Sequence, residues 1–123
     1  MIEACQGRVN QARLGNVQVL KCDDYKFPVE SGALDGLFIA FVVHHPEDRV
    51  RFLTAAKEML RPGGWCFILE WHKTETESGP PQTARINPDE LRELCEMAGF
   101  RYQESGDVNN ENYRMTVIKS RLS

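Results

Sequence analysis

No stretch of this 123-residue sequence approaches the roughly 20 consecutive apolar residues that span a bilayer. Its start, Met1-Ile2-Glu3-Ala4-Cys5, has neither the basic segment nor the apolar stretch of a signal peptide. These absences lead to the expectation of a cytoplasmic protein without membrane contact. The four cysteines, Cys5, Cys22, Cys66 and Cys95, include no C-x-x-C pair. In a reducing compartment they read as small buried apolar residues, not as a disulfide framework or a metal site. A basic stripe is also missing, and the formal charge is −3, which argues against a nucleic-acid partner. There is no internal repeat and no low-complexity tract.

What is present is an ordinary globular composition, 41% hydrophobic and 27% charged. A chain of this size buries roughly two-thirds of its extended surface, enough for one domain spanning residues 1–123. Ile2, Cys5, Val9 and Ala12 recur at helical spacing, and Val17 to Leu20 reads as a short strand. Leu37 to Val43 is a continuous apolar run, expected to be a strand with both faces buried. Pro46, Glu47 and Asp48 suit a helix start, and Val50, Leu53, Ala56, Met59 and Leu60 form its apolar stripe. Pro62-Gly63-Gly64 stops that helix, and Trp65 to Leu69 reads as a second buried strand.

The segment from Lys73 to Ile86 is polar and reads as a mobile loop. Asn87-Pro88-Asp89-Glu90 is a capped helix start, followed by a stripe of Leu91, Leu94, Cys95 and Ala98 and a stop at Gly99. Phe100 to Glu104 reads as a strand. Tyr113, Met115 and Val117 alternate with Arg114 and Thr116, the pattern of an antiparallel strand.

The order α-β-β-α-β-α-β-β predicts an α/β fold. Its sheet is mostly parallel, with a C-terminal antiparallel hairpin and helices on both faces. Ligands of such sheets bind outside the carboxyl ends of the strands. Those ends are Asp23-Asp24, Val43 to His45, and Glu70 to His72. Asp23 and Asp24 read equally as turn formers. His44 and His45 can simply lead into the helix at Pro46; as functional groups they are candidates for a proton acceptor or a substrate contact. Trp65 and Trp71 flank an apolar strand and read as packing residues in preference to substrate stacking.

Several segments, in order, resemble the class I methyltransferases that use S-adenosylmethionine, of the small-molecule type related to ubiquinone-biosynthesis and arsenite methyltransferases. They are Met1-Ile2-Glu3-Ala4, Asn16 through Asp23, Leu34-Asp35-Gly36-Leu37 through His44-His45, Met59-Leu60-Arg61-Pro62-Gly63-Gly64-Trp65, and Asn87 through Phe100. The resemblance implies a truncated Rossmann-like methyltransferase sheet, the C-terminal two-thirds of the family fold. It implies a carboxylate at Asp23 that accepts the adenine amino group, with the backbone N–H of Asp24 toward the ring. It also implies that Ile39, Ala40 and Phe41 line the methionine arm through main-chain atoms.

The sequence departs from that family in lacking its opening strand, its Gly-x-Gly-x-Gly loop and the acidic residue for the ribose. Losing about four hydrogen bonds of roughly 1 kcal/mol each weakens binding on the order of a thousandfold. An isolated monomer is therefore expected to bind S-adenosylmethionine poorly. The loss also strips the neighbour from Leu37 to Val43, so that strand is expected to re-pair, to join a homodimer or partner chain, or to belong to a fragment of a longer protein. Two functions follow. One is methyl transfer to a small molecule when a partner or further N-terminal sequence completes the site. The other is a non-catalytic binding or partner subunit. The segment from Lys73 to Ile86 is the sole candidate for acceptor choice.

Overall fold

The computed structural model describes residues 25–44, 46–74 and 79–121. The helix expected from Ile2 to Ala12 and the strand expected at Val17 to Leu20 lie outside them. The remaining order agrees with the sequence pattern: β1 (Leu34–Ala40), α1 (Arg49–Met59), β2 (Leu60–Trp71), a 3-10 turn at Gln82–Ala84, α2 (Pro88–Met97), β3 (Phe100–Asp107) and β4 (Asn112–Lys119). The four strands form one sheet in the order β1-β2-β4-β3. β1 and β2 are parallel, whereas β4 runs antiparallel to both β2 and β3.

Each helix starts where its capping chemistry dictates. Asn87 Oδ1 accepts the Glu90 N–H at 2.8 Å, with Pro88 in the first turn and Asp89 and Glu90 beside the positive helix end. Asp48 Oδ1 accepts the Arg51 N–H at 3.0 Å, so α1 begins after Asp48, with Pro46 outside the helix. The inward residues of α1 (Phe52, Leu53, Ala56 and Met59) and of α2 (Leu91 and Cys95) meet Cys66, Ile68, Met115 and Val117 from the sheet. Side-chain alternation along β4 puts Tyr113, Met115 and Val117 into that core, as the sequence pattern predicts. Both described helices pack in this one core.

The structure corrects four expectations. The run from Leu37 to Val43 is not one strand: pairing starts at Leu34 and ends at Ala40, and Phe41 turns out of it with φ 59°. Uniform hydrophobicity gave no mark of that end. Nor is β1 buried on both faces. Phe38 is 61% exposed and stacks on Phe67 at 5.5 Å, while Ile39 faces the core. The Pro-Gly-Gly turn is not a connection before the second strand, because β2 begins at Leu60 and holds the turn as an irregularity opposite Leu34–Gly36. Gly63 has φ 83°, and a Cβ at Gly64 would lie 2.9 Å from the Arg61 carbonyl and 3.1 Å from that of Asp35, so backbone crowding selects glycine there.

The fourth correction concerns Lys73 to Ile86. Its described residues, Lys73, Thr74 and those from Gly79 on, are anchored. Arg85 is 2% exposed, and its guanidinium donates to the Pro80 and Thr74 carbonyls at 2.9 Å each. Ile86 is fully buried, and its carbonyl accepts the Tyr113 hydroxyl at 2.6 Å. Polarity suggested a solvated loop, yet the long cation is satisfied by main-chain carbonyls that sequence spacing does not reveal.

Candidate functional site at the strand ends

The parallel strands β1 and β2 put their carboxyl ends side by side, where Phe41 N–H still donates to the Leu69 carbonyl at 2.9 Å. Alternation along β2 sends Cys66, Ile68 and Glu70 to the core face, so a carboxylate follows two apolar residues inward. Glu70 is fully buried. Burying a carboxylate is costly unless its oxygens are hydrogen-bonded, and here they are. Glu70 Oε2 accepts the His44 main-chain N–H at 3.2 Å, Oε1 accepts the Trp71 N–H at 3.2 Å, and His44 Nδ1 lies 2.9 Å from Oε1 and 3.1 Å from Oε2.

With Glu70 ionised, His44 Nδ1 carries the proton and donates it to the carboxylate. That tautomer leaves the lone pair on Nε2. His44 itself is 8% exposed and lines an open groove of about 650 Å³ with Pro46, Glu47, Asp48, Arg49, Val50 and Leu94. Arg49 ties this corner to the anchored segment, donating to the Ala84 carbonyl at 2.9 Å and to the His44 carbonyl at 3.4 Å. The arrangement can hold an imidazole in one orientation and accept a proton at Nε2.

Two aromatic rings meet at the same strand ends, with Trp71 on the face of β2 opposite Glu70. Phe41 is the non-glycine residue of positive φ among the described residues, and such a conformation costs on the order of 1–3 kcal/mol. Its ring lies 5.7 Å from that of Trp71. On the far side of β2, His72 Nε2 is 2.6 Å from Asp107 Oδ1, and the His72 ring packs 5.0 Å from Tyr113. Asn112 Nδ2, on the residue opposite Trp71 in the β2–β4 register, is buried without a hydrogen-bond partner among the described residues.

Of the residues singled out from sequence, Ile39, Ala40, Phe41 and His44 are brought to this one corner. Asp23, Asp24 and His45 lie outside the described residues. Glu70 was placed at a ligand-binding strand end by the sequence but given no role of its own, although a lone carboxylate at the inward register of an apolar strand was its signal. Trp65 is 46% exposed and covers Gly36, where a Cβ would collide with its ring, so it packs on the sheet surface and not in the core.

The interior holds three acidic protons tightly. Burial pushes the Cys95 thiol up to about 12, with Glu96 adding to the effect. Burial, then the neighbouring Cys95, raises Cys66; burial, then the Glu70 charge, raises the Tyr113 hydroxyl. Each group stays neutral in the folded chain while its unfolded counterpart ionises. Their contribution to stability is therefore complete below about pH 9 and is lost as the pH climbs from there toward 12. Denaturant titrations should show stability falling by about 1.4 kcal/mol per pH unit per thiol above pH 9. A flat profile from pH 8 to 11 would contradict this.

Residues 1–68 match the model of the methyltransferase domain family, more than half of the chain. The chain is similar to the ubiquinone/menaquinone biosynthesis C-methyltransferase UbiE of Acidiphilium cryptum, 29% identical over 82 residues, covering 66% of this chain and 33% of that protein. It thus spans about a third of the length of that curated relative. Among solved structures, a SAM-dependent methyltransferase from Aquifex aeolicus superposes with a TM-score of 0.90 at 27% identity, over 96% of this chain and 63% of that one. The fold also matches a 1,6-didemethyltoxoflavin-N1-methyltransferase from Burkholderia thailandensis, solved with S-adenosylhomocysteine, at a TM-score of 0.74 and 21% identity, over 94% of this chain and 56% of that one.

Proposed function

This chain belongs to the methyltransferase domain family, whose cofactor is S-adenosylmethionine, and from that premise we propose that it takes part in methyl transfer to a small molecule. The observation that carries the reading is the buried Glu70 carboxylate holding His44 at the carboxyl ends of two parallel strands. In this reading Asp23 and Asp24 receive the adenine, and the main chain of Ile39, Ala40 and Phe41 receives the amino-acid arm. The described part of the site fits that role: Ala40 offers one carbon of side chain, and the turn at Phe41 takes the backbone out of the sheet there. When bound, S-adenosylmethionine supplies an electrophilic methyl group. His44, oriented by Glu70, takes the proton that the acceptor releases. Fixed orientation of this kind lowers the barrier mainly by positioning.

No Gly-x-Gly-x-Gly pattern occurs in the 123 residues, so the reading requires contacts from a partner chain or from sequence outside them. The isolated chain is accordingly expected to bind S-adenosylhomocysteine with a dissociation constant on the order of 1 mM or weaker. Nitrogen-15 NMR titration reads this directly: amide shifts centred on Ile39 to His44 support the site. Low-micromolar binding to a verified monomer overturns the need for completion, and shifts confined to other residues overturn the site.

One observation favours the second reading, a non-catalytic partner subunit. Phe38 is 61% exposed on β1, which is an edge strand among the described residues. An apolar edge of this kind invites pairing with another chain. Light scattering of the wild type and of Phe38→Lys separates the possibilities, since an assembly through β1 should fall apart in the variant.

A further inference from the structure

We propose that the Phe41 and Trp71 rings form a stacking platform for the methyl acceptor, and that the acceptor is therefore a flat, ring-bearing small molecule. This rests on the methyl-transfer reading above and deepens it. Phe41 follows β1 and Trp71 ends β2, so the two rings meet at the carboxyl ends of neighbouring parallel strands, with centroids 5.7 Å apart at 45°. Glycine would occupy φ 59° without strain, yet the position carries a phenyl ring that is 36% exposed. Core packing does not account for a strained aromatic left open to solvent. A surface that a ligand covers does.

Trp71 is fixed from within the protein. The Arg85 guanidinium lies 4.9 Å from its ring centre, and that cation is itself locked on the Pro80 and Thr74 carbonyls. Gly79 lies against the same ring, where a Cβ would come within 2.9 Å of it. The Trp71 N–H is held by Glu70, the residue that orients His44. Platform and dyad are thus tied through adjacent residues of the main chain, their side chains leaving β2 on opposite faces. A ring held this firmly offers a π face at little entropic cost, and the gain is specific to flat partners because saturated rings have no face to stack.

The test compares 2-naphthol with its saturated counterpart decahydro-2-naphthol, by calorimetry or ligand-observed NMR on the 123-residue chain. The wild type should bind the flat alcohol at least about fivefold more tightly. Phe41→Gly and Trp71→Leu should each remove that preference, whereas Trp65→Phe should keep it. Phe41→Gly relieves the backbone at φ 59° but gives up the ring contact with Trp71, so a cooperative thermal transition that is retained in the variant separates loss of the platform from loss of the fold. Equal affinities in the wild type, no binding of the flat alcohol, or a preference that survives Phe41→Gly overturns the proposal. The outcome is independent of the donor: a flat-ring preference without any methyl transfer sinks the earlier reading alone, and methyl transfer indifferent to planarity sinks this one alone.

Discussion

Replacing Glu70 by alanine is expected to lower the unfolding free energy by about 3–5 kcal/mol, the usual loss when one partner of a buried, hydrogen-bonded pair is removed. The carboxylate is fully buried and serves three donors: His44 N–H, His44 Nδ1 and Trp71 N–H. Alanine strands all three in a space that water reaches poorly. Glu70→Gln keeps one acceptor oxygen and nearly the same volume, so it should cost about 1–2 kcal/mol. Chemical denaturation with an unchanged dependence on denaturant reads both values. The glutamine variant also separates stability from chemistry. An amide no longer favours the proton on His44 Nδ1, so nitrogen-15 imidazole shifts should move toward a mixed tautomer, and methyl transfer should fall on the order of a hundredfold. If alanine and glutamine prove equally mild, Glu70 is not the group that organises this corner.

Arg85→Met should release the segment from Gly79 to Ile86. The guanidinium donates to two carbonyls at 2.9 Å and to the His72 carbonyl at 3.5 Å, and it covers the Trp71 ring. Methionine keeps the apolar stem of arginine but donates no hydrogen bond. Losing two good charge-assisted bonds amounts to about 3 kcal/mol of local opening free energy. When the opening equilibrium is fast, protease cleavage follows the open population, so cutting between Gly79 and Ile86 should accelerate on the order of a hundredfold. Cleavage at the wild-type rate would show that Ile86, whose carbonyl takes the Tyr113 hydroxyl, anchors the segment by itself. A released segment should also free Trp71 and weaken the flat-ring preference.

Much of the architecture was legible before any coordinates. Helix starts are local matters of an oxygen three residues ahead of an N–H, and Asn87 could be read directly. The alternation of Tyr113, Met115 and Val117 is set by strand geometry, so the closing hairpin could be read as well. The pattern was weakest where chemistry repeats without a break. Seven apolar residues from Leu37 to Val43 carry no sign that pairing stops at Ala40 and that Phe41 turns away.

The sequence by itself determined the order of elements, the capped helices, the resemblance to methyltransferases and the candidacy of His44 beside the strand ends. Those follow from neighbours along the chain. Only the tertiary structure decided that Glu70, 26 residues away, grips His44, that Arg85 finds its acceptors at Pro80 and Thr74, and that Phe41 meets Trp71. A buried charge has to satisfy its hydrogen bonds with whatever the packed sheet brings near, and that choice is made by strand register and not by spacing along the chain.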